Sequence, residues 1–158
     1  MDYCEYPSPV GTLYLTADAG GLTGIWMHPK KTEDHPVLVQ AKLWLDSYFS
    51  GNPVGCSFPL NPHGTAFQQQ VWDILLTIPY GQTTTYGAIA REMAVRMGKE
   101  KMSAQAVGQA VGANPIDILI PCHRVVGANG KLTGYAEGLD KKEWLLRHEG
   151  WLRQEDRL

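Results

Sequence analysis

A thiol and an imidazole stand side by side at Cys122 and His123, directly after Pro121 and at the end of the apolar run Ile118-Leu119-Ile120. A thiol near its usual pKa of roughly 8.5 is mostly protonated at neutral pH, and only the thiolate is a strong nucleophile. An imidazole within reach can take that proton, directly or through water, and a carboxylate can hold the imidazole in the needed tautomer. On an extended strand neighbouring residues point to opposite faces, so the pair can cooperate only where the chain turns between them. Pro121 fixes its own φ and ends regular strand pairing, which makes such a turn plausible. Glu149, near the end of the last helical segment, is the candidate carboxylate. Each residue also has a plainer reading: Cys122 as a small buried hydrophobe, His123 as a satisfied core histidine, Glu149 as a solvated residue at a helix end.

The other thiols and imidazoles have no such company. Cys4, His28, His35, Cys56 and His63 lack the paired close spacing of metal-ligand sets, so no metal and no cofactor is expected. Three widely spaced cysteines argue against a disulfide framework and fit a reducing compartment. With 44 % apolar and 19 % charged residues, the 158-residue chain has an ordinary globular composition and fits one domain or two small ones. It shows no apolar run of membrane length and no secretory leader pattern, so a cytoplasmic protein without a membrane partner is expected. A net charge of −2 supplies no global pull toward nucleic acid. Arg91, Arg96, Lys99, Lys101, Arg124 and Lys131 nevertheless cluster in the second half against only Glu92, Glu100 and Asp117, either as a solvated surface or as a local basic face.

The elements that must position the pair follow from periodicity. Residues 8–27 alternate around Asp-Ala-Gly-Gly and predict a β-hairpin. Val37, Leu38, Ala41, Leu45 and Tyr48 predict a helix stopped by Gly51. A Pro- and Gly-rich connector follows, with a domain boundary near residues 60–64. Thr65 and Gln68 form a capping-box pattern ahead of the stripe Phe67, Val71, Trp72, Leu75, Ile78. Two short helical segments, "TTYGAIAREMAVRM" and "SAQAVGQAVG", are joined by "GKEK" and fit a helix-turn-helix or a plain helical hairpin. The second is unusually thin, able to approach another backbone closely. "IDILI" predicts a short buried strand, and "LDKKEWLLRHEG" a final helix with Asp140 as N-cap, Glu143 completing a capping box and Gly150 as stop.

Together these segments carry a resemblance. "IPCHRVVG", "FQQQVWDILLTIPYGQTTTYGAIA", "AVGQAVGANPIDILIPCHRV" and "GKLTGYAEGLDKKEWLLRHEG" resemble, in order, the catalytic domain of the O6-alkylguanine-DNA alkyltransferases, the methylated-DNA–protein-cysteine methyltransferases. The match covers roughly Phe67 to Gly150. The resemblance implies an α+β protein: a small β-rich, ribonuclease-H-like N-terminal domain over 1–62, then a helical, helix-turn-helix-containing DNA-binding catalytic domain over 63–158. It implies direct, stoichiometric repair of O6-alkylguanine in double-stranded DNA by a monomer, and nucleoid association in a prokaryote.

The same resemblance implies residue roles. Cys122 accepts the alkyl group, His123 deprotonates it through a bridging water, and Glu149 orients His123. Asn114 braces the turn before the active-site segment, and Tyr86 donates a hydrogen bond to guanine N3. Backbone groups of Cys122, Val125 and Ala136 read the flipped base, with Tyr135 lining the pocket. Gln68, Ser103, Ala104, Gln105, Ala106, Arg124 and Ala128 contact DNA, the thin helix lying in the minor groove. Gln105 stands where the family commonly carries an arginine that fills the gap left by the flipped base. Relatives that do not transfer carry tryptophan in place of the acceptor cysteine. A lesion-binding module and a cysteine hydrolase are the rival functions: binding leaves the protein unmodified, and hydrolysis turns over.

Overall fold

The computed structural model describes residues 2–135 and 138–151. The chain parts into two compact units, Met1–His63 with Pro115–Asp117, and Gly64–Asn114 with Ile118–Leu158. Among the described residues no helix is long and apolar enough to cross a membrane.

In the first unit the expected hairpin gains a third strand. β1 (Glu5–Ser8), β2 (Gly11–Asp18) and β3 (Gly21–Trp26) form an antiparallel sheet in that order, with Tyr6 opposite Leu13 and Leu15 opposite Ile25. Leu13 and Leu15 alternate inward along β2, as the period of two requires. Gly21 sits at φ 132°, and a Cβ there would lie 2.4 Å from the Pro59 carbonyl oxygen, so only glycine fits. α1 (Pro36–Phe49) buries Val37, Leu38, Ala41, Leu45 and Tyr48, the five positions its spacing picks out. Its cap is His35, whose Nδ1 accepts from Val37 N at 3.0 Å.

The "IDILI" strand does not form. Ile116 makes one parallel bridge to Ile25, after which residues 117–119 turn. The cause is a side chain: Asn114 Nδ2 donates to the Ile120 carbonyl at 2.7 Å. Six residues of strand would hold those groups about 20 Å apart. A hydrogen bond from a buried amide outweighs the β propensity of the run.

The second unit is helical. α2 (Ala66–Leu75) has both halves of its capping box, Thr65 Oγ1 accepting from Gln68 N and Gln68 Oε1 accepting from Thr65 N. β4 (Thr84–Thr85) runs parallel to β5 (Val125–Val126), a pairing the sequence patterns did not indicate. Thr85 then caps α3 (Tyr86–Arg96), and Ser103 caps α4 (Ala104–Gly112). α4 packs on both α2 and α3, and its buried side is only Val107, Ala110 and Val111. Trp72 ties α2 to α4 by donating to the Ala110 carbonyl at 2.9 Å.

α5 (Leu139–His148) begins two residues earlier than expected. Its N-cap is Gly138 at φ 112°, without a side-chain cap. Asp140 therefore lies inside the first turn, where its charge still favours the helix dipole. Glu143 completes no capping box and pairs with Arg147 one turn on, at 3.2 Å.

Ile118 tests two opposed terms. Its φ of 73° costs a side chain about 1–2 kcal/mol, while removing a fully buried isoleucine costs about 2–5 kcal/mol. Burial wins. Ile118→Gly should therefore lower the unfolding free energy by roughly 1–3 kcal/mol net in urea titrations. A variant more stable than the parent would show that strain dominates.

Candidate active site

Pro121 makes the required turn. Its φ of −81° and ψ of 67°, with Cys122 N donating to the Ile120 carbonyl at 2.8 Å, define an inverse γ-turn. The same carbonyl accepts from Asn114, so one oxygen anchors both the turn and the bracing amide. A short 3₁₀ turn, Cys122–Arg124, follows. At about three residues per turn, consecutive side chains fan out by roughly 120° rather than alternating. Cys122, 6 % exposed and still a thiol, thus stands beside a fully buried His123.

Behind His123 lies Glu149, the residue that closes α5. His123 Nε2 and Glu149 Oε2 are 2.6 Å apart, with neither side chain exposed. Burial alone would raise the Glu149 pKa. Hydrogen bonds and charge from His123 and Arg124 outweigh that and hold it down at about 2. An ionised carboxylate at this distance needs a donor, so the neutral imidazole carries its proton on Nε2 and leaves Nδ1 with the lone pair. Nδ1 is buried and has no hydrogen-bond partner. Burial pushes the His123 pKa below its ordinary value despite Glu149, keeping the ring a neutral base at neutral pH. A base so held can take a proton from an adjacent thiol.

Arg124 corrects an expectation. Instead of facing DNA, its guanidinium is turned inward: Nε donates to Glu149 Oε1 at 2.7 Å, and its two terminal nitrogens donate to Glu149 Oε2 at 3.0 Å and to the Ile78 carbonyl at 2.7 Å. A carboxylate at a helix C-terminus faces the unfavourable end of the dipole, and this cation offsets it. With His123 neutral, Arg124 is also the charge that keeps Glu149 ionised.

Tyr86, at the start of α3, donates from its hydroxyl toward the Thr133 and Gly134 carbonyls, both at 3.3 Å. It lines a cleft of about 750 Å³ with Gln105, Gly108, Gln109, Gly134 and Tyr135. The cleft brings together Tyr86, Tyr135 and two of the small-helix residues, Ala104 and Gln105. Ala104, Gln105 and Ala128 are exposed, Ala106 is partly so, and the Ser103 hydroxyl is engaged in capping Ala106 N. Gln68 is half-buried with its carbonyl oxygen committed to Thr65. Val125 is buried in β5, and Ala136 lies outside the described residues.

The sequence patterns missed Lys142. It is fully buried, and its Nζ donates to the Thr133 carbonyl at 2.8 Å and to that of Gly134 at 3.4 Å. Burial brings its pKa down to about 8, partly restored by Cys122. Its signal was available: Lys142, Leu145, Leu146 and Glu149 fall at i, i+3, i+4 and i+7, a core stripe with a charge at each end.

Comparison with known proteins agrees with this fold. Residues 66–151 match the family model described as 6-O-methylguanine DNA methyltransferase, DNA binding domain. Residues 1–62 match 6-O-methylguanine DNA methyltransferase, ribonuclease-like domain. The chain belongs to this methyltransferase family, with the α+β fold of its members. A Methanosarcina acetivorans relative named methylated-DNA–protein-cysteine methyltransferase is 45 % identical, over 95 % of this chain and 99 % of its own. One of the same name from Haemophilus influenzae is 43 % identical, over 93 % and 85 %. The crystal structure of Mycobacterium tuberculosis OGT in complex with DNA superposes with a TM-score of 0.79 at 42 % identity, covering 92 % of this chain and 90 % of that one.

The buried pair makes stability depend on pH in a defined sense. His123 is held below its usual 6.5, so the folded state binds fewer protons than the unfolded chain once the pH drops past that value. Glu149, held from 4.5 to about 2, acts in the same sense over that lower window. Urea midpoints should therefore be level near pH 7, fall below pH ~6.5 and fall again below pH ~4.5. His123→Gln should abolish the first fall and keep the second; an unchanged first fall would assign it elsewhere.

Proposed function

We propose that this protein repairs O6-alkylguanine in duplex DNA by moving the alkyl group to Cys122, once per molecule. The observation that carries the reading is the His123 imidazole in one 3₁₀ turn with Cys122, its Nε2 committed to Glu149 and its Nδ1 without a partner. His123 takes the thiol proton through a bridging water. The Cys122 sulfur then attacks the alkyl carbon, a sulfur–carbon bond forms, and the carbon–O6 bond breaks with its electron pair passing to the base. Tyr86, hydrogen-bonded to N3, stabilises the charge that develops there. The thioether is a poor leaving group, so the protein is consumed. The relatives' name and the DNA in the mycobacterial structure support this reading.

A stacked base cannot reach a thiol that is 6 % exposed, so the lesion must flip out. Val125, Tyr135 and Ala136 would then receive it, Asn114 keeping the turn in place. α4 would lie in the minor groove, where Ser103, Ala104 and Ala106 permit close approach, with Gln68 and Ala128 at the backbone. Residues 63–158 thus form the DNA-binding transferase domain, preceded by a β-rich domain over 1–62. A monomer suffices, and its work lies with the DNA, in the cytoplasm and, if the source is prokaryotic, at the nucleoid.

Intact-protein mass spectrometry after exposure to an O6-methylguanine oligonucleotide tests the reading. One methyl group should appear per protein, on the peptide holding Cys122, and Cys122→Ala should abolish it while retaining DNA binding. Labelling at Cys4 or Cys56, continued turnover, or binding without modification would each overturn it.

Gln105 offers a second test. Gln105→Arg should tighten DNA binding and steepen its log–log salt dependence by roughly 0.9 or less. Gln105→Ala should slow repair in duplex more than transfer from the free modified base, because only the duplex must be held open. Equal losses would withdraw the gap-filling role.

A further inference from the structure

We propose that Arg124 is a positioning residue for proton transfer from Cys122: its fork on Glu149 keeps His123 both aimed and neutral. The role rests on the alkyl-transfer reading for its use, but its geometry stands apart from it. His123 and Arg124 are consecutive in one 3₁₀ turn and converge on one carboxylate. Oε2 accepts from both His123 Nε2 at 2.6 Å and an Arg124 terminal nitrogen at 3.0 Å, while Oε1 takes Arg124 Nε at 2.7 Å. A single-point contact would let the carboxylate swing about its χ angles, whereas a bidentate fork fixes its plane. The fork is itself pinned, by the Ile78 carbonyl at 2.7 Å and by the Tyr80 ring 5.7 Å from the guanidinium carbon.

The electrostatic half follows from the same atoms. Arginine stays protonated under all working conditions, so Glu149 always faces a full positive charge. An imidazolium at His123 would share its counter-ion with that cation and be repelled by it, in a place where water screens little. From α5, Lys142 opposes the same protonation and Glu149 favours it. Arg124 therefore shifts the balance toward the neutral ring, the form that can accept a proton. A lone His–Glu pair would be protonated earlier on acidification and would lose its base sooner.

Two variants separate the halves. Arg124→Gln removes the charge, and Arg124→Lys keeps it but loses the fork. Thermal melts establish folding, NMR titration gives the His123 midpoint, and iodoacetamide reports Cys122 reactivity against pH, with methyl transfer from an O6-methylguanine oligonucleotide run alongside. In Arg124→Gln the His123 midpoint should rise by about one pH unit, and the acid limb of Cys122 reactivity should move with it. In Arg124→Lys the midpoint should hold while the plateau rate falls about tenfold or more. An unmoved midpoint in folded Arg124→Gln overturns the proposal. Should Arg124→Gln not fold, Arg124→Lys decides: a full wild-type plateau rate overturns the role. If the wild-type protein transfers no methyl group while these shifts occur, alkyl transfer falls and the positioning role stands.

Discussion

One buried carboxylate governs the second unit. Glu149 is held by His123 on one oxygen and by Arg124 on both, with the Gly81 amide 3.4 Å from Oε1. Taking a carboxylate out of water costs several kcal/mol unless its charge and lone pairs are matched. The matches come from two other pieces of chain, the 3₁₀ turn at 122–124 and the Pro79–Gly81 bend after α2, while the carboxylate itself closes α5. The carboxylate thus acts as a registration point for segments distant in sequence. None of them can shift without uncovering a charge.

That constraint explains the surrounding irregularities. A strand through 116–120 would have been the easier local structure, yet it would carry Cys122 and His123 to opposite faces. Asn114 folds the segment over instead, and Pro121 adds the γ-turn that delivers the 3₁₀ geometry. Lys142 enters the same core from α5, its ammonium held by the Thr133 and Gly134 carbonyls. Those carbonyls also receive Tyr86. A cation and a phenol therefore share acceptors at the rim of the cleft, so displacing the 133–134 backbone would disturb both at once.

The sequence made some of this legible and concealed the rest for physical reasons. The thiol–imidazole pair after proline announced a turn because no strand makes use of adjacent residues together. α1 and α2 were readable because each buries a single stripe. Arg124 was misread as a DNA contact: composition counts charges but does not show which way a side chain points, and its neighbour in space, Glu149, lies 25 residues on. The "IDILI" strand failed because propensity is local, whereas the Asn114 hydrogen bond reaches across six residues. The Asp140 cap failed because Gly138 could adopt a φ of 112° and start the helix sooner. β4 and β5, two residues each, are too short to carry a period at all.

The cleft beside α4 shows how composition can serve a site without supplying charge. Gly108 offers no side chain, and a Cβ there would touch the Tyr86 ring at 3.8 Å, so its absence keeps the wall between helix and phenol thin. Gln105, Gln109 and Gly112 are exposed on the same helix, while its buried side needs only Val107, Ala110 and Val111. Affinity for a polyanion ordinarily comes from lysine and arginine, and α4 has neither. Arg91, Lys99 and Lys101, on α3 and the connection after it, are exposed and able to meet phosphates instead. In the proposed complex the two tasks would therefore divide: cations around the helix would set affinity, and small residues on it would set how near the backbone comes. A net charge of −2 is compatible with that division, because steering depends on where charges sit rather than on their sum.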